Sequence, residues 1–487
     1  MTFSSLFQHR KLLLHTLLIT LLGTSFSTLS YEHTSILPDG SRNSLVLESL
    51  ESPRATSLSE NTQQFFPPAS TLKLVTALAA KLELGDEFHY QTSLFQHSDD
   101  LVIEFTGDPT ITTQNLKSLL KTAKNKGITT IKGDIWLDDS SFTGYERAVG
   151  WPWDILGVCY SAPASAITLD ENCVQASIYT LDNGKTRVYV PEQFPIHVST
   201  KAQTVSKIEQ ESSQCDLELT TENNNQYQLN GCLVERSKPL PLKFAVQNPT
   251  QYTTRMVYTL LNQLGIDLHG SVKVGQPNSS FDSSTAMLIA KHNSPKLPEL
   301  LDTMLKKSDN LIADNLTKTI GSTFYLQPGS FKNGTLAIKQ IIIAKTGIDL
   351  EKAQLVDGSG LSRNNRITSQ DMADVLRYIW DHESDLKLIS VMPTSGETGT
   401  LQYRRSMRKA PIKGQLIAKS GSLYGSYNMA GYGLDSQGQP TSLFVQFVSD
   451  YHPIKRSNDK PVIAPITHFE TLFYQDIVSF SQTVSTQ

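Results

Sequence analysis

A long β-rich stretch separates two helix-rich stretches in this sequence of 487 residues, and no other feature constrains the fold as strongly. Strand-like runs and turn residues dominate from about Gln91 to Ser284, while helical periodicity marks the residues on either side. An inserted segment of roughly 190 residues has the size of a domain or more. The sequence therefore predicts one helix-rich unit, formed by residues 31–90 and 285–487, interrupted by a β-rich region over residues 91–284 that we expect to hold two domains.

The elements of the helix-rich unit follow from their residue patterns. A helix is predicted within the stretch Gln64–Leu84, because Pro67 and Pro68 precede it, Ser70 lies near its start, Ala and Leu fill it and Gly85 ends it. Further predicted helices are Leu297–Lys306, Leu311–Ile320, Thr335–Lys345, Ser369–Trp380 and Phe469–Phe480. Three predicted strands precede the last helix, namely Leu416–Leu423, Tyr427–Leu434 and Ser442–Ser449.

The N-terminal residues predict export. Arg10 and Lys11 precede an apolar run over Leu12–Leu22, and small residues lead up to Ser30, which is the order found in a secretory signal peptide over residues 1–30. The run is too short for a membrane span, which needs about 20 apolar residues. The alternative is an uncleaved amphipathic anchor, so membrane association would be peripheral at most. We expect the mature chain in the periplasm.

The four cysteines, all within the β-rich region, agree with export. Cys159, Cys173, Cys215 and Cys232 allow three pairings, and the sequence-local one joins Cys159 to Cys173 and Cys215 to Cys232. In an oxidising compartment such pairs act as structural staples. No Cys-x-x-Cys, Cys/His cluster or His-Glu-x-x-His occurs, so neither a metal site nor a cofactor is expected.

The charge balance argues against one large class of function. Lys and Arg number 43 against 47 Asp and Glu, for a net charge of -4. No basic surplus exists to meet nucleic-acid phosphates. We therefore expect no nucleic-acid partner.

Ser70-x-x-Lys73, near the start of the first predicted helix, is the first motif that carries chemistry. Residues i and i+3 share a helix face, so Lys73 can reach the Ser70 hydroxyl. Leu, Val and Ala surround the pair, and burial among them would shift Lys73 towards the neutral form that a base requires. Alone, the motif fits an N-capping serine and a solvated lysine better than a catalytic pair. The same spacing recurs at Ser118, Ser384, Ser406 and Ser457.

Ser308-Asp309-Asn310, between two predicted helices, is the second motif. Ser308 can relay a proton, and the Asn310 amide can contact a lysine amine and a substrate carbonyl at once. The alternative is an ordinary helix N-cap, because Ser, Asp and Asn are the favoured capping residues.

Two Lys-Ser/Thr-Gly elements compete for the third role. Lys345-Thr346-Gly347 ends a predicted helix, where its glycine fits a C-terminal cap. Lys419-Ser420-Gly421 lies on a predicted strand, whose backbone can pair with an extended peptide. There the glycine leaves room for a substrate, while the lysine and the serine hydroxyl can bind a terminal carboxylate. We expect the substrate carboxylate at the second element.

In this order and in these settings the motifs resemble those of penicillin-recognising acyl-serine enzymes. The long gap between Ser70 and Ser308 does not fit a compact β-lactamase. Over nearly its whole mature length the chain resembles the low-molecular-mass class C penicillin-binding proteins, which are D-alanyl-D-alanine carboxypeptidase/endopeptidases of the penicillin-binding protein 4 type. Further matching segments are Pro68-Ala69-Ser70-Thr71, Gly150-Trp151-Pro152-Trp153, Cys159-Tyr160-Ser161-Ala162-Pro163, Asn172-Cys173, Lys238-Pro239-Leu240-Pro241-Leu242, Asp357-Gly358-Ser359-Gly360-Leu361-Ser362-Arg363 and Leu401-Gln402-Tyr403-Arg404.

The resemblance implies a fold and a reaction. The fold is an α/β (α+β) transpeptidase/β-lactamase-like domain with an antiparallel sheet flanked by helices, split by inserted domains after the Ser70 helix. The reaction is hydrolysis of D-alanyl-D-alanine or D-alanyl-diamino acid bonds in peptidoglycan stem peptides through an acyl-serine, with no cofactor. β-Lactam antibiotics would acylate the same serine as covalent inhibitors.

The mechanism that follows gives each motif residue a role. Lys73 takes the proton of Ser70, and the backbone N–H groups of Ser70 and Ser422 hold the oxyanion. Ser308 passes a proton to the leaving amine, and Asn310 orients the lysine and the substrate. The expected catalytic residues are Ser70, Lys73, Ser308 and Asn310, and the expected substrate-binding residues are Lys419, Ser420, Gly421 and Ser422.

Two positions depart from the family pattern. Ser420 stands where the family usually has Thr, which preserves the hydroxyl. The family's acidic residue after the Gly-Trp-Pro-Trp segment would meet the free end of the substrate's diamino acid; here Asp154 comes one position early and Ile155 fills the expected place. By resemblance, the other members of this substrate side-chain pocket are Tyr160, Arg363 and Tyr424.

Two other functions fit parts of the pattern. A β-lactamase would form the same acyl-enzyme and release it quickly. A non-catalytic wall-binding module would use the insertion as its scaffold, although the intact motif residues argue against it. The sequence leaves open whether the protein is a monomer or a homodimer, and whether carboxypeptidase or endopeptidase activity dominates.

Overall fold

The structure, a computed structural model, describes residues 30–51, 55–277, 281–453 and 463–484. The signal peptide predicted over residues 1–30 lies outside the described residues except for Ser30. Within these ranges, no helix combines the length and the hydrophobicity of a membrane span.

Helices and strands are numbered in chain order. The α-helices are α1 Lys73–Leu84, α2 Thr113–Asn125, α3 Lys207–Ser213, α4 Pro249–Leu264, α5 Leu297–Lys307, α6 Asn310–Tyr325, α7 Phe331–Thr346, α8 Ser369–Asp381, α9 Glu383–Leu386 and α10 Pro465–Val484. The strands are β1 Arg42–Ser49, β2 Thr56–Glu60, β3 Phe65–Phe66, β4 Gln91–His97, β5 Asp100–Glu104, β6 Thr130–Ile131, β7 Ile135–Asp138, β8 Cys173–Thr180, β9 Thr186–Tyr189, β10 His197–Thr200, β11 Gln203–Val205, β12 Leu217–Glu222, β13 Gln226–Val234, β14 Leu240–Ala245, β15 Asp267–Leu268, β16 Val272–Val274, β17 Met287–Asn293, β18 Ile367–Thr368, β19 Leu416–Leu423, β20 Ser426–Leu434 and β21 Pro440–Ser449.

A five-stranded antiparallel sheet, in the order β19-β20-β21-β1-β2, lies at the centre of the helix-rich unit. Along β21, Leu443, Val445 and Phe447 join one apolar core with α1 and α8, whereas Phe444 and Val448 join another with α10. Successive side chains of a strand point to opposite faces, so one sheet supports both layers. This arrangement is the predicted antiparallel sheet flanked by helices, and the three strands predicted from the sequence match β19 to β21 closely.

The first helix starts after the two prolines, as its sequence pattern indicates. The α-helical part begins at Lys73, three residues after Ser70. The preceding residues form β3, which pairs with β18, and Pro67 and Pro68 follow. Neither proline has an N–H to donate. A 3-10 turn over Ala69–Leu72 then leads into α1, which is buried along most of its length.

The described part of the inserted region contains two large apolar cores and a small cluster of Phe95, Val102 and Phe281. In the first, the sheet β16-β7-β5-β4-β17 packs against α2 and α4. In the second, the sheet β14-β8-β9 packs against β10, β12 and β13. The sequence prediction of a β-rich region did not include the helices α2 and α4. The helical spacing of apolar residues in α2 could have shown this helix, because its buried residues are Leu116, Leu119, Leu120 and Ala123. β17 completes the first sheet, although it lies beyond residue 284, the predicted end of the inserted region. The domain limits stay a prediction.

The disulfides follow the sequence-local pairing. Cys159–Cys173, with a Cα–Cα distance of 5.3 Å, ties a short 3-10 turn to the start of β8. Cys215–Cys232, with a Cα–Cα distance of 5.8 Å, ties the chain before β12 to β13. Both pairs therefore staple the inserted region.

Candidate active site

Close backbone packing fixes the turn that carries Ser70. Ala69 has a φ of +49°, a left-handed conformation that is costly for a residue with a Cβ. Gly360 permits this turn, because a Cβ there would lie 1.8 Å from the carbonyl oxygen of Ala69. A Cβ on Gly421 would lie 2.7 Å from the carbonyl oxygen of Pro68 and 2.9 Å from the Ser70 nitrogen. The space at Gly421, expected to admit substrate, is thus used by the backbone of the serine turn.

Lys73 begins α1 with its amine fully buried beside Ser70. Its Nζ lies 3.1 Å from Ser70 Oγ and donates to Asn310 Oδ1 at 2.6 Å and to the Ser359 carbonyl oxygen at 2.7 Å. Burial lowers the pKa of Lys73 from 10.5 to about 8. The acidic residues that raise this pKa in opposition to burial are Asp314, Asp357 and Asp309. The structure therefore brings Ser70, Lys73 and Asn310 together.

Asp314, which our sequence analysis missed, organises the loop behind Lys73. Its Oδ1 accepts hydrogen bonds from the backbone N–H groups of Gly358 at 3.0 Å and Ser359 at 2.9 Å. Burial raises the pKa of its carboxyl well above the usual value. Asp314 lies four residues after Asn310 on α6, so the i,i+4 spacing was the available signal.

Asp357, also missed as a site residue, holds the loop that contacts the serine turn. Its carboxylate accepts from the backbone N–H groups of Gly360 at 2.8 Å and Ser362 at 2.6 Å. It also accepts from Trp151 Nε1 at 2.9 Å and from Asn365 Nδ2 at 2.8 Å. Two of the segments that carry the family resemblance therefore meet at one buried carboxylate that positions the loop.

The Ser308-Asp309-Asn310 turn combines capping with chemistry. Asp309 caps α6 by accepting from the Ile312 N–H at 2.9 Å, so the capping alternative holds for this residue. Ser308, the residue after α5, has a φ of +58°. Asn310 accepts from Lys73 and donates from Nδ2 to the Tyr160 carbonyl oxygen at 2.7 Å. One amide thus links the lysine to the inserted region.

Lys419 on β19 completes the polar cluster. Its fully buried Nζ donates to Ser308 Oγ at 2.9 Å and to the Ser420 carbonyl oxygen at 2.8 Å. Burial, followed by repulsion from Lys73 and Arg404, lowers its pKa well below 10.5. The Ser420 hydroxyl lies 3.0 Å from that of Thr400, a neighbour that our sequence analysis did not single out. Ser422 follows on the same strand with its side chain exposed.

The competing element Lys345-Thr346-Gly347 has a structural role. It ends α7, with Gly347 at a φ of +77° and its N–H donating to the Ile343 carbonyl oxygen at 3.0 Å. This is the C-terminal cap expected from the sequence. Of the two elements, Lys419-Ser420-Gly421 is the one that contacts the motif residues, through Ser308.

The residues expected in the substrate side-chain pocket lie on exposed surface. Tyr160 and Tyr424 are 53% and 79% exposed, and the Arg363 guanidinium lies 5.9 Å from the centre of the Tyr424 ring. Asp154 is exposed and near enough to Tyr160 to raise the pKa of its hydroxyl, second to burial. Ile155 packs inward beside the cluster that contains Trp151, Phe331 and Leu361. The exposed carboxylate of this segment is therefore that of Asp154.

Known proteins that resemble this chain identify its family. The profile of the D-Ala-D-Ala carboxypeptidase 3 (S13) family matches residues 39–471. The chain belongs to the S13 family. It is 36% identical over 476 residues to the D-alanyl-D-alanine carboxypeptidase DacB of Haemophilus influenzae, covering 94% of this chain and 97% of that protein.

Solved structures extend the S13 match to three dimensions. The crystal structure of penicillin binding protein 4 (dacB) from Haemophilus influenzae has a TM-score of 0.83 and 37% identity, covering 92% of this chain and 98% of that one. A crystal structure of that protein complexed with a novel β-lactam has a TM-score of 0.78 and 36% identity over the same shares. The chain is thus a serine-type D-Ala-D-Ala carboxypeptidase of the penicillin-binding protein 4 type, with a β-lactamase/transpeptidase-like fold.

Proposed function

We propose that this S13 enzyme hydrolyses D-alanyl-D-alanine and D-alanyl-diamino acid bonds in peptidoglycan stem peptides through an acyl-serine. One observation carries the proposal: the buried amine of Lys73 lies 3.1 Å from Ser70 Oγ, and burial lowers its pKa to about 8. A neutral amine at this distance can accept the hydroxyl proton. The pair therefore supplies an activated nucleophile.

Acylation begins when Lys73 accepts the Ser70 proton and the serine oxygen attacks the carbonyl of the penultimate D-alanine. The backbone N–H groups of Ser70 and Ser422 hold the oxyanion, a contribution of about 3–4 kcal/mol per donor in other acyl-transfer enzymes. The proton taken from Ser70 goes to the leaving nitrogen through Ser308. The C–N bond breaks and the acyl-serine remains.

Substrate orientation and deacylation use the same cluster. Lys419, beside the Ser420 hydroxyl, faces the free carboxylate of the substrate, and an arriving carboxylate favours the charged form of this lysine. Asn310 orients Lys73 by accepting a hydrogen bond from its amine at Oδ1. A water then gives its proton to Lys73 and attacks the acyl carbon, and the proton returns to Ser70. Acid and free serine are the products.

Inhibition, export and domain organisation belong to the same proposal. A β-lactam would react as a cyclic analogue of the peptide and leave a penicilloyl group on Ser70; the relative solved with a β-lactam supports this. The two disulfides fit an oxidising compartment such as the periplasm. We assign residues 31–90 and 285–487 to the catalytic domain and residues 91–284 to the insertion, whose two apolar cores support two domains.

The test is incubation of the protein with purified peptidoglycan fragments, with free D-alanine and cleaved dimers read by mass spectrometry. The wild type should release D-alanine from pentapeptides, and the Ser70→Ala variant should release none. Absence of both products with the wild type, or release by Ser70→Ala, would overturn the proposal. In a separate incubation with penicillin, loss of the penicilloyl group from the protein within seconds would indicate a β-lactamase instead.

A further inference from the structure

A cavity of about 880 Å³ adjoins the catalytic turn on its side towards the inserted region. Ser308, Asp309 and Asn310 form one wall, and residues of β8, β12, β13 and β14 form the opposite wall. Ser70 and Lys73 are not among the lining residues. The volume is that of a site for a ligand of several hundred daltons. The cavity therefore extends the active site beyond Ser308.

Glu171, on the wall of the inserted region, is carried by an unusual turn. Asp170, Glu171 and Asn172 have φ values of +51°, +59° and +47°, three successive left-handed residues that carry a Cβ. The turn is held by Thr113, whose N–H and hydroxyl donate to the Asp170 carboxylate at 2.8 and 2.5 Å, and by the disulfide at Cys173. A rigid mount thus presents the Glu171 carboxyl to the cavity.

Lysines approach the same carboxyl from both walls. Lys243 belongs to β14 and Lys307 ends α5, and both line the cavity. Burial, followed by the charge of Asp309, raises the pKa of Glu171, while the charges of Lys307 and Lys243 lower it. Both lysines therefore lie within electrostatic reach of this carboxyl. Neither lysine forms an ion pair or a side-chain hydrogen bond with any residue that the structure describes. Asp309, the other acid of the lining, is engaged in capping α6.

The position of Ser308 indicates which part of a substrate enters the cavity. In the proposed mechanism Ser308 protonates the leaving nitrogen, so atoms beyond that nitrogen lie on its side. When the leaving group is D-alanine, it extends no further than its own carboxylate, which faces Lys419. A cross-linked substrate instead continues from the leaving diamino acid into a second stem peptide, which carries further carboxylates.

We infer that this cavity binds the leaving stem peptide of a cross-linked substrate, with Lys243 and Lys307 facing its carboxylates. The inference rests on the proposed function, since it uses the orientation of that reaction. It assigns the inserted region a role in endopeptidase specificity. Apolar side chains such as Leu219 and Phe244 would cover the peptide backbone.

The experiment compares two substrates of the full-length enzyme, a stem-peptide dimer joined through its diamino acid and a monomeric pentapeptide that ends in D-Ala-D-Ala. Lys243→Gln should raise KM for the dimer about threefold and Lys243→Glu about tenfold. Both variants should keep wild-type KM and kcat for the pentapeptide. Lys238→Gln, an exposed lysine of the same region outside the cavity, is the matched control and should change neither substrate.

Three results would overturn the inference. The first is that Lys243→Glu has the wild-type KM for the dimer. The second is that its KM changes by the same factor for the dimer and the pentapeptide. The third is that the wild type releases D-alanine from the pentapeptide but does not cleave the dimer. In the last case the carboxypeptidase part of the proposed function would stand. A wild type inactive on both substrates would instead refute the proposed function itself.

Discussion

Acylation of Ser70 should depend on pH through the ionisation of Lys73. Burial lowers the pKa of this lysine from 10.5 to about 8, which corresponds to about 3 kcal/mol in favour of the neutral amine. The base must be neutral, so acylation slows as the pH falls below 8 and levels off above it. About a tenth of the molecules carry a neutral Lys73 at pH 7 and about nine-tenths at pH 9, so the limiting rate should rise about tenfold between them.

The assay is stopped-flow acylation by a fluorescent penicillin from pH 6 to pH 10, with the limiting rate and the apparent binding constant fitted separately. The separation matters because burial and Lys73 lower the pKa of Lys419 well below its ordinary value. Lys419 therefore loses its charge at a lower pH than an ordinary lysine, and the apparent binding of the carboxylate should weaken as the pH rises. The limiting rate should not follow that decline.

Lys318 provides the control, because burial lowers its pKa to about 8 as well. Its Nζ donates to the carbonyl oxygens of Tyr145 and Ala164 rather than to a catalytic group. Lys318→Met should leave the midpoint of the rate profile near pH 8. A flat profile, a rate that still rises tenfold per pH unit above pH 9, or a midpoint that disappears in Lys318→Met would refute the role of Lys73.

Three substitutions test the structural basis of the site. Gly421→Ala should slow acylation at least about 100-fold, because the added Cβ would lie 2.9 Å from the Ser70 nitrogen. Gly438→Ala, the control, adds a Cβ with no atom within 4 Å; its φ of +80° costs stability, but the acylation rate of the folded protein should stay at the wild-type value. Ser308→Ala should reduce the limiting acylation rate by about 10²–10⁴-fold while the protein unfolds at the wild-type urea concentration; an unchanged rate would remove Ser308 from the proton path. Asp357→Asn should lower the free energy of unfolding by roughly 3 kcal/mol in urea titration, because an amide cannot accept all four of its hydrogen bonds, and a loss below about 1 kcal/mol would contradict this.

The sequence predicted the sheet of the catalytic unit and the cluster of motifs because both depend on local patterns. Successive apolar side chains of β21 point to opposite faces of the sheet, and this period of two can be recognised in the sequence. The helical register of Ser70 and Lys73 likewise brings their polar atoms to 3.1 Å. The preference for Lys419 over Lys345 was possible because one lies on a strand and the other at a helix end.

Features that depend on distant contacts were not predicted. Asp314 lies four residues after Asn310, and Asp357 lies in a segment that carries the family resemblance. Their contacts appear only when α6 meets the loop after α7 and when Trp151 reaches that loop. The function of Gly421 depends on the approach of the Pro68 carbonyl from another part of the chain. The pairing of β3 with β18 ahead of α1 is likewise a tertiary contact that local patterns do not show.

The most direct test of the central claim is mass spectrometry of the protein after incubation with benzylpenicillin. One penicilloyl group should be found on the wild type, on the peptide that contains Ser70, and it should persist for hours. The Ser70→Ala variant should carry none. An adduct on another residue, or labelling that survives in Ser70→Ala, would contradict the assignment of Ser70 as the nucleophile.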